Sequence, residues 1–279
     1  MLAKQAVEIN ASTRLLAVIG DPVEHSLSPA MHNAACRALG LDAVYVALRC
    51  TPDDVPGVLN ALAAVGGAGN VTVPYKEAAE RCLTRKTDLC ARVGACNTFW
   101  SEHGKLAGDN TDVAGVLASL QHLGADGASQ WLLIGTGGAA RAVAVAAAEA
   151  HAALHVLSRQ AGRADEFADW ARSRGASAQP ARSDLVPDLA INATPLGLKE
   201  SDPLPLDIAR TRGLRAVLDL VYAPGETRWV RALRAAGVVA QDGREMLVQQ
   251  GAAAFNHFFP GTRAPMEVMR AAVAHALRA

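Results

Sequence analysis

Short apolar runs rich in β-branched residues alternate with stretches whose apolar positions recur every three or four residues, along the whole chain. That alternation is the pattern of an α/β protein with mostly parallel sheets. In the first part, 15–19 predicts a strand, 29–39 a helix and 43–48 a second strand. A helix carrying Val55, Leu59 and Leu62 follows, then a strand over 70–73. Residues 97–100 and 105–107 predict a hairpin turning at His103 and Gly104. The character of the chain changes at 112–123, a helix with Val113, Val116, Leu117 and Leu120 on one face. Residues 131–134 then open a new unit of strand, glycine turn, helix and strand (154–157), with further strands over 189–192, 216–220 and 238–240. The last helical stretches, 245–258 and 265–277, have no strand of their own to pack on. The expected organisation is therefore a first domain of residues 1–112, a Rossmann-type domain of 113–242, and a segment 243–279 returning to the first domain.

Composition narrows the function classes. Half of the 279 residues are apolar (51%) and 27 basic residues balance 27 acidic ones, so the chain can bury sizeable cores and no charge bias points to nucleic acid or a membrane surface. The expected partner is a small molecule. Cys36, Cys50, Cys82, Cys90 and Cys96 are odd in number and scattered, with no C-x-x-C pair. This argues against a disulfide framework and a zinc site, and fits a reducing compartment. Glu8 and Asn10 interrupt any signal-peptide core, and no apolar run reaches membrane-spanning length. The expectation is a cytoplasmic protein without a metal.

The segment WLLIGTGGAARAV puts Gly135, Gly137 and Ala140 at the three positions of a G-x-G-x-x-G/A fingerprint, with Gly138 and Ala139 between them. The chemistry needs a tight turn, a close approach of backbone to a pyrophosphate, and helix N-terminal amides facing the anion. The end of the next strand chooses the cofactor. NAD sites carry an acid there for the ribose 2′-hydroxyl, and NADP sites a cation. Here Ser158 and Arg159 end the strand and Arg163 follows a helical turn later, while Asp165 and Glu166 lie further into the helix. NADP is the expected cofactor.

Other motifs carry polar groups suited to a polyhydroxylated acid. In GDPVEHSLSP, Ser28 is placed as an N-cap with Pro29 at the first helical position. With the Ser26 and Ser28 hydroxyls beside helix N-terminal amides, this makes a carboxylate site without arginine, although the same features serve any well-capped helix. In GNVTVPYK, Asn70 and Thr72 alternate along the expected strand, Pro74 ends it, and Lys76 falls on the turn. GACNT adds Asn97 and GDNTD ends at Asp112 on a helix start. Tyr222 of DLVY reads equally as a core ring or a site residue, and Gln250 equally as a solvated residue or a site residue.

Taken in order, HSLSP, NVTVPYK, GACNT, GDNTD, IGTGGAARA, NATPLGL, DLVY and MLVQQGAAAF resemble the signature segments of the shikimate dehydrogenase family, from residue 20 to residue 269. The resemblance implies reversible NADPH-dependent reduction of 3-dehydroshikimate to shikimate, with a quinate or aminoshikimate dehydrogenase of the same fold, or a non-catalytic NADP sensor, as competing readings. It implies that Ser26, Ser28 and Tyr222 hold the substrate carboxylate, that Thr72, Asn97 and Gln250 hold ring hydroxyls, and that Lys76 and Asp112 are the catalytic pair. On the cofactor side it implies the turn at 135–140, then Ser158, Arg159 and Arg163, then Asn192, Thr194 and Gly243. The oligomeric state is left between monomer and homodimer. Three residues depart from the family pattern: Ser158 replaces an asparagine, Gly69 a larger residue, and Cys96 a valine. Gly69 is expected to loosen the substrate loop, and Cys96 to be a packing change.

Overall fold

A computed structural model of the chain describes residues 9–160, 162–208 and 213–278. Two compact units emerge, one of residues up to 111 together with 250–277, the other of residues 112–249. The first unit opens with β1 (Arg14–Gly20), α1 (Ser28–Ala38), β2 (Ala43–Arg49), α2 (Val55–Ala64) and β3 (Ala68–Val71). It continues with α3 (Lys76–Cys82), β4 (Arg85–Lys86), α4 (Asp88–Val93), β5 (Thr98–Glu102) and β6 (Lys105–Asp109). Its sheet runs β2-β1-β3-β5-β6-β4, parallel where β1 meets β2 and β3, and antiparallel through β3, β5 and β6. Apolar residues alternate inward from these strands, and Ala17, Ile19, Val71, Phe99 and Leu106 close a core with Val55, Leu59 and Leu62 of α2. The hairpin turns at His103 and Gly104, both with positive φ (52° and 75°), the twist a two-residue turn needs.

The second unit consists of α5 (Asp112–Leu123), β7 (Gln130–Ile134), α6 (Gly138–Glu149), β8 (Ala153–Leu157), α7 (Arg163–Ser173) and β9 (Ser177–Pro180), then β10 (Leu189–Asn192), β11 (Ala216–Asp219), α8 (Arg228–Ala235) and β12 (Val239–Gln241). All its strands are parallel, in the order β12-β11-β10-β7-β8-β9. Strand order reverses between β7 and β10, the place where open α/β sheets bind ligands. The alanine-rich stretch of α6 is fully buried from Ala142 to Ala147, which explains its composition: small side chains let the helix sit close to its neighbours. Two helices end the chain, α9 (Arg244–Phe258) and α10 (Met266–Ala276), and α10 packs along α1.

Four expectations change. β3 stops at Val71: Thr72 N makes the last ladder bond, to Ile19 O, and Tyr75 N donates to Thr72 O, closing a turn through Pro74. Thr72 therefore lies one residue past the end of the strand that carries Asn70. Ser28 is not the N-cap: Leu27 holds that place in αR conformation with no side-chain cap bond, and the Ser26 hydroxyl accepts from Ser28 N at 3.3 Å instead. Gly69 does not loosen anything, since a Cβ there would overlap the backbone of Ala17 on β1, so the strand pairing itself demands glycine. The unit boundaries fall at 111/112 and 249/250, where 112/113 and 242/243 were expected. The second lies inside α9, since a continuous helix can leave one core and enter another without any change in its pattern.

Candidate functional site

The glycine turn separates two reasons for lacking a side chain. Gly135 has φ +107°, and a Cβ there would stand 2.7 Å from Thr194 Cγ2 and 3.2 Å from the Ala193 carbonyl, so the fold requires it. Gly137 has an ordinary φ of −86°, and a Cβ on it or on Gly138 would meet nothing within 4 Å. No internal contact calls for glycine at either position. Both leave the backbone open to a group approaching from outside, and behind them stands the N-terminus of a 12-residue helix with its free amides and positive dipole end. Ala139 is half-buried and Ala140 fully buried, the latter giving the close helix–strand packing of the third fingerprint position.

Ser158 follows β8, and its hydroxyl accepts from Gln160 N at 3.3 Å. Arg159 and Arg163 are exposed, and among the described residues neither forms an ion pair. Asp165 and Glu166 sit in the first turn of α7, away from the strand end. Two exposed cations thus follow the end of β8, and the first acid after it in the chain is Asp165. Across the switch point, Asn192 ends β10 with no exposure, and its amide is committed inside the following turn. Asn192 Oδ1 accepts from Thr194 N (3.0 Å) and Thr194 Oγ1 (2.6 Å), and Nδ2 donates to Leu196 O (3.1 Å). Gly243 is fixed by packing, because a Cβ there would overlap the Leu220 carbonyl.

In the first unit the polar residues form one buried network. Asn97 Nδ2 donates to Thr111 Oγ1 (3.0 Å) and Gln250 Oε1 (3.3 Å), and Asn97 Oδ1 accepts from Thr111 N (2.7 Å). Thr98 joins through Asn97 Oδ1 (3.0 Å) and Thr111 Oγ1 (2.9 Å). Asn70 Nδ2 donates to Thr98 Oγ1 and to Asn97 O, both at 3.1 Å, and Asn70 Oδ1 accepts from Tyr45 Oη at 2.7 Å. Burial pushes the Tyr45 phenol well above its ordinary pKa, against the opposing hydrogen bonds of Asn70 and Ser28. Ser28, Asn97 and Gln250, chosen on sequence grounds from three distant segments, are thus linked through Tyr45, Asn70 and Thr98. Tyr45, Thr98 and Thr111 were missed, since a tyrosine in a strand and threonines in NT pairs give no signal until the strands are paired.

Behind Tyr45 lies His32, one turn after Ser28 on α1. Its ring stacks on Tyr45 (4.5 Å, 12°) and faces Phe255 (6.2 Å). Complete burial drives its pKa down to about 3, so the ring is neutral. Thr72 stands just past β3, its methyl against the position a Gly20 Cβ would occupy, which accounts for glycine before Asp21. Lys76 opens α3 and Asp112, 4% exposed, opens α5. Tyr222 is partly exposed three residues after the end of β11. Cys96 is a packing residue, its thiol donating to Thr98 O at 3.1 Å.

Comparison with known proteins agrees with this geometry. The family model for the shikimate dehydrogenase substrate binding domain matches residues 18–99, and that for the shikimate 5'-dehydrogenase C-terminal domain matches 243–274. The shikimate dehydrogenase (NADP(+)) of Moorella thermoacetica is 42% identical over 94% of this chain and 93% of its own. That of Trichormus variabilis is 37% identical over 95% and 97%. The crystal structure of shikimate 5-dehydrogenase from Thermus thermophilus, in complex with NADP(H) and shikimate, superposes with a TM-score of 0.86 at 37% identity, covering 94% of this chain and 99% of that one. With likeness running through both units at this level, and the glycine turn and polar network in place, the chain belongs to the shikimate dehydrogenase family.

Proposed function

We propose that this protein is an NADP-dependent oxidoreductase that reversibly reduces 3-dehydroshikimate to shikimate, the reaction its relatives are named for and a step of aromatic amino-acid biosynthesis. The observation that carries the cofactor half is the pair of glycines, Gly137 and Gly138, that no internal contact explains, with Arg159 and Arg163 exposed at the end of the next strand and free of ion pairs among the described residues. When bound, NADPH supplies the hydride. The protein's own residues do the rest. The turn of Gly135, Gly137, Gly138 and Ala139 receives the pyrophosphate; Ser158, Arg159 and Arg163 receive the 2′-phosphate; the turn after Asn192 and the loop at Gly243 complete the dinucleotide site.

Ser26 and Ser28, with Tyr222, hold the substrate carboxylate, and Thr72, Asn97 and Gln250 hold ring hydroxyls. The buried network supports this division, because Asn97 and Gln250 are already oriented by bonds to each other and to Thr111. Such preorganisation lowers the cost of ordering them around a ligand. Oxidation of the alcohol releases a hydroxyl proton, and Lys76 with Asp112 takes it; in the reverse direction they return it. The protein works in the cytoplasm, which its five free thiols support, as a monomer or homodimer. Steady-state rates with shikimate and quinate, each with NADP+ and NAD+, test the reading. Preference for shikimate with NADP+ is expected. Turnover only with quinate would transfer the chain to that branch of the fold, and no turnover with either would leave a binding protein.

A further inference from the structure

At the end of β11, in the unit that carries the glycine turn, stands a carboxylate with no exposure at all, Asp219. An ionised group so placed is costly unless donors replace its water. Oδ1 accepts from Asn192 Nδ2 at 2.8 Å and Val221 N at 3.1 Å, and Oδ2 accepts from Thr227 Oγ1 at 2.8 Å. All three donors are neutral. Burial, helped by neighbouring Asp242, pushes the Asp219 carboxyl up to about 6, so it is ionised at neutral pH yet held at a cost. A leucine or valine would fill the place at less cost if packing were the only demand.

The demand is visible in Asn192. An ionised carboxylate can only accept, so Asn192 must turn its nitrogen toward Asp219. Its oxygen is thereby left facing the chain ahead, where it takes both the backbone N and the hydroxyl of Thr194. Thr194 Oγ1 in turn accepts from Leu196 N at 3.2 Å. Gly197, with φ +98°, has its Cβ direction 4.0 Å from Asp219 Oδ2, so the carboxylate also flanks the far end of the turn. The turn then meets the glycine turn: Ala193 N donates to Ile134 O at 2.9 Å, and Thr194 Cγ2 fills the space a Gly135 side chain would need.

We propose that Asp219 is a positioning residue of the cofactor site, which through Asn192 fixes the 192–197 turn against Gly135 and so sets the shape the dinucleotide meets. It acts through another residue and touches no ligand itself. The proposal rests on the NADP reading above. What it requires of Asp219 is an acceptor facing Asn192, and the charge only serves to provide one.

The test measures NADP+ dissociation constants by calorimetry for wild type, Asp219→Ala, Asp219→Asn, Asn192→Ala and the Asp219→Ala/Asn192→Ala double variant, together with melting temperatures and the shikimate KM at saturating NADP+. Asp219→Ala strands three buried donors and should weaken NADP+ about tenfold to a hundredfold. Asn192→Ala should do the same, and the double variant should stay within about threefold of the worse single, because the two residues are links of one chain. Asp219→Asn can keep an oxygen toward Asn192 and turn its amino group to Thr227 Oγ1, so it should stay within about threefold of wild type. The shikimate KM should move less than about twofold in every variant that folds. If Asp219→Ala does not fold, Asn192→Ala carries the test alone. Variants that melt earlier but bind NADP+ as wild type does well below their melting point would reduce Asp219 to a structural residue and overturn the proposal. Multiplicative losses in the double variant, or Asp219→Asn as damaging as Asp219→Ala, would also overturn it. Wild-type protein that fails to bind NADP+ is a different result, and sinks the cofactor reading itself.

Discussion

Arg159 has no partner of its own among the described residues, so its removal takes nothing from the fold. Arg159→Ala should weaken NADP+ about tenfold to a hundredfold, the worth of a charge-assisted hydrogen bond, and leave NAD+ nearly unchanged. Fluorescence titration with both cofactors checks this, and equal losses would place the 2′-phosphate elsewhere. Lys76→Ala should cut turnover by about 10²–10⁴ with much less effect on shikimate binding, and the Lys76→Ala/Asp112→Ala double variant should be little worse than the worse single, since the residues share one task. Near-normal turnover in Lys76→Ala would return the lysine to an ordinary surface charge. Residues of this kind can be picked out of the sequence because their motifs are short and local. Asp219 was not: it falls near the end of the expected 216–220 strand, where nothing local marks its carboxylate, and its meaning appears only when Asn192, 27 positions earlier, is laid beside it. Tyr45 was hidden for the same reason, as its partner Asn70 comes from another strand.

Among the elements, the glycine turn offers the sharpest contrast. Gly135→Ala forces a strained φ and a clash with Thr194, and should lower the melting temperature even without cofactor. Gly137→Ala meets nothing in the protein, so the apo protein should melt as before while NADP+ binds more weakly. Thermal melts with and without NADP+ separate the two, and a Gly137→Ala protein that is stabilised by NADP+ as fully as wild type would remove the reason given for that glycine. Long helices and the hairpin lay close to where the hydrophobic pattern put them, because each buries a continuous face. The pieces that escaped are α3, β4, α4, β9 and α8, elements of two to eight residues. Over two to seven residues periodicity has no room to show, whereas α8 does carry it, with Trp229, Val230 and Leu233 buried on one face. α8 still left a trace, for Thr227 caps it by accepting from Val230 N at 3.2 Å, and the carboxylate of Asp219 orients that same hydroxyl.

At the scale of the whole molecule, acid acts on the two units in opposite directions. His32 in the first unit is held neutral down to about pH 3, whereas an unfolded histidine takes a proton near 6.5; stability from this burial is full above about 6.5 and is lost as pH falls toward 3. Asp219 in the second unit is raised from 3.8 to about 6, so its contribution is full below 3.8 and is lost as pH rises through 6. Each changes stability by about 1.4 kcal/mol per pH unit inside its window. Urea titrations at pH 6.5 and 4.5 should therefore show His32→Phe losing less stability than wild type over that interval, and Asp219→Asn losing more, each by about 2 kcal/mol. Equal losses in all three proteins would mean that neither group is as deeply shielded as its surroundings imply. The two-unit plan was legible in outline, from the change of character near residue 112 and from terminal helices without strands to cover.

The division of the first unit also orders events during synthesis. Residues 9–111 leave the ribosome before 112–249, but α1 must wait for α10, and Asn97 for Gln250, which are made after both. The second unit is contiguous from 112 to 249, so it can close while the earlier-made strands are still incomplete. The first segment to emerge is thus the last to be finished. In the interval Met31, Tyr45 and the ring of His32 lack the helices that bury them, so a nascent chain arrested before residue 250 offers a chaperone a defined apolar face.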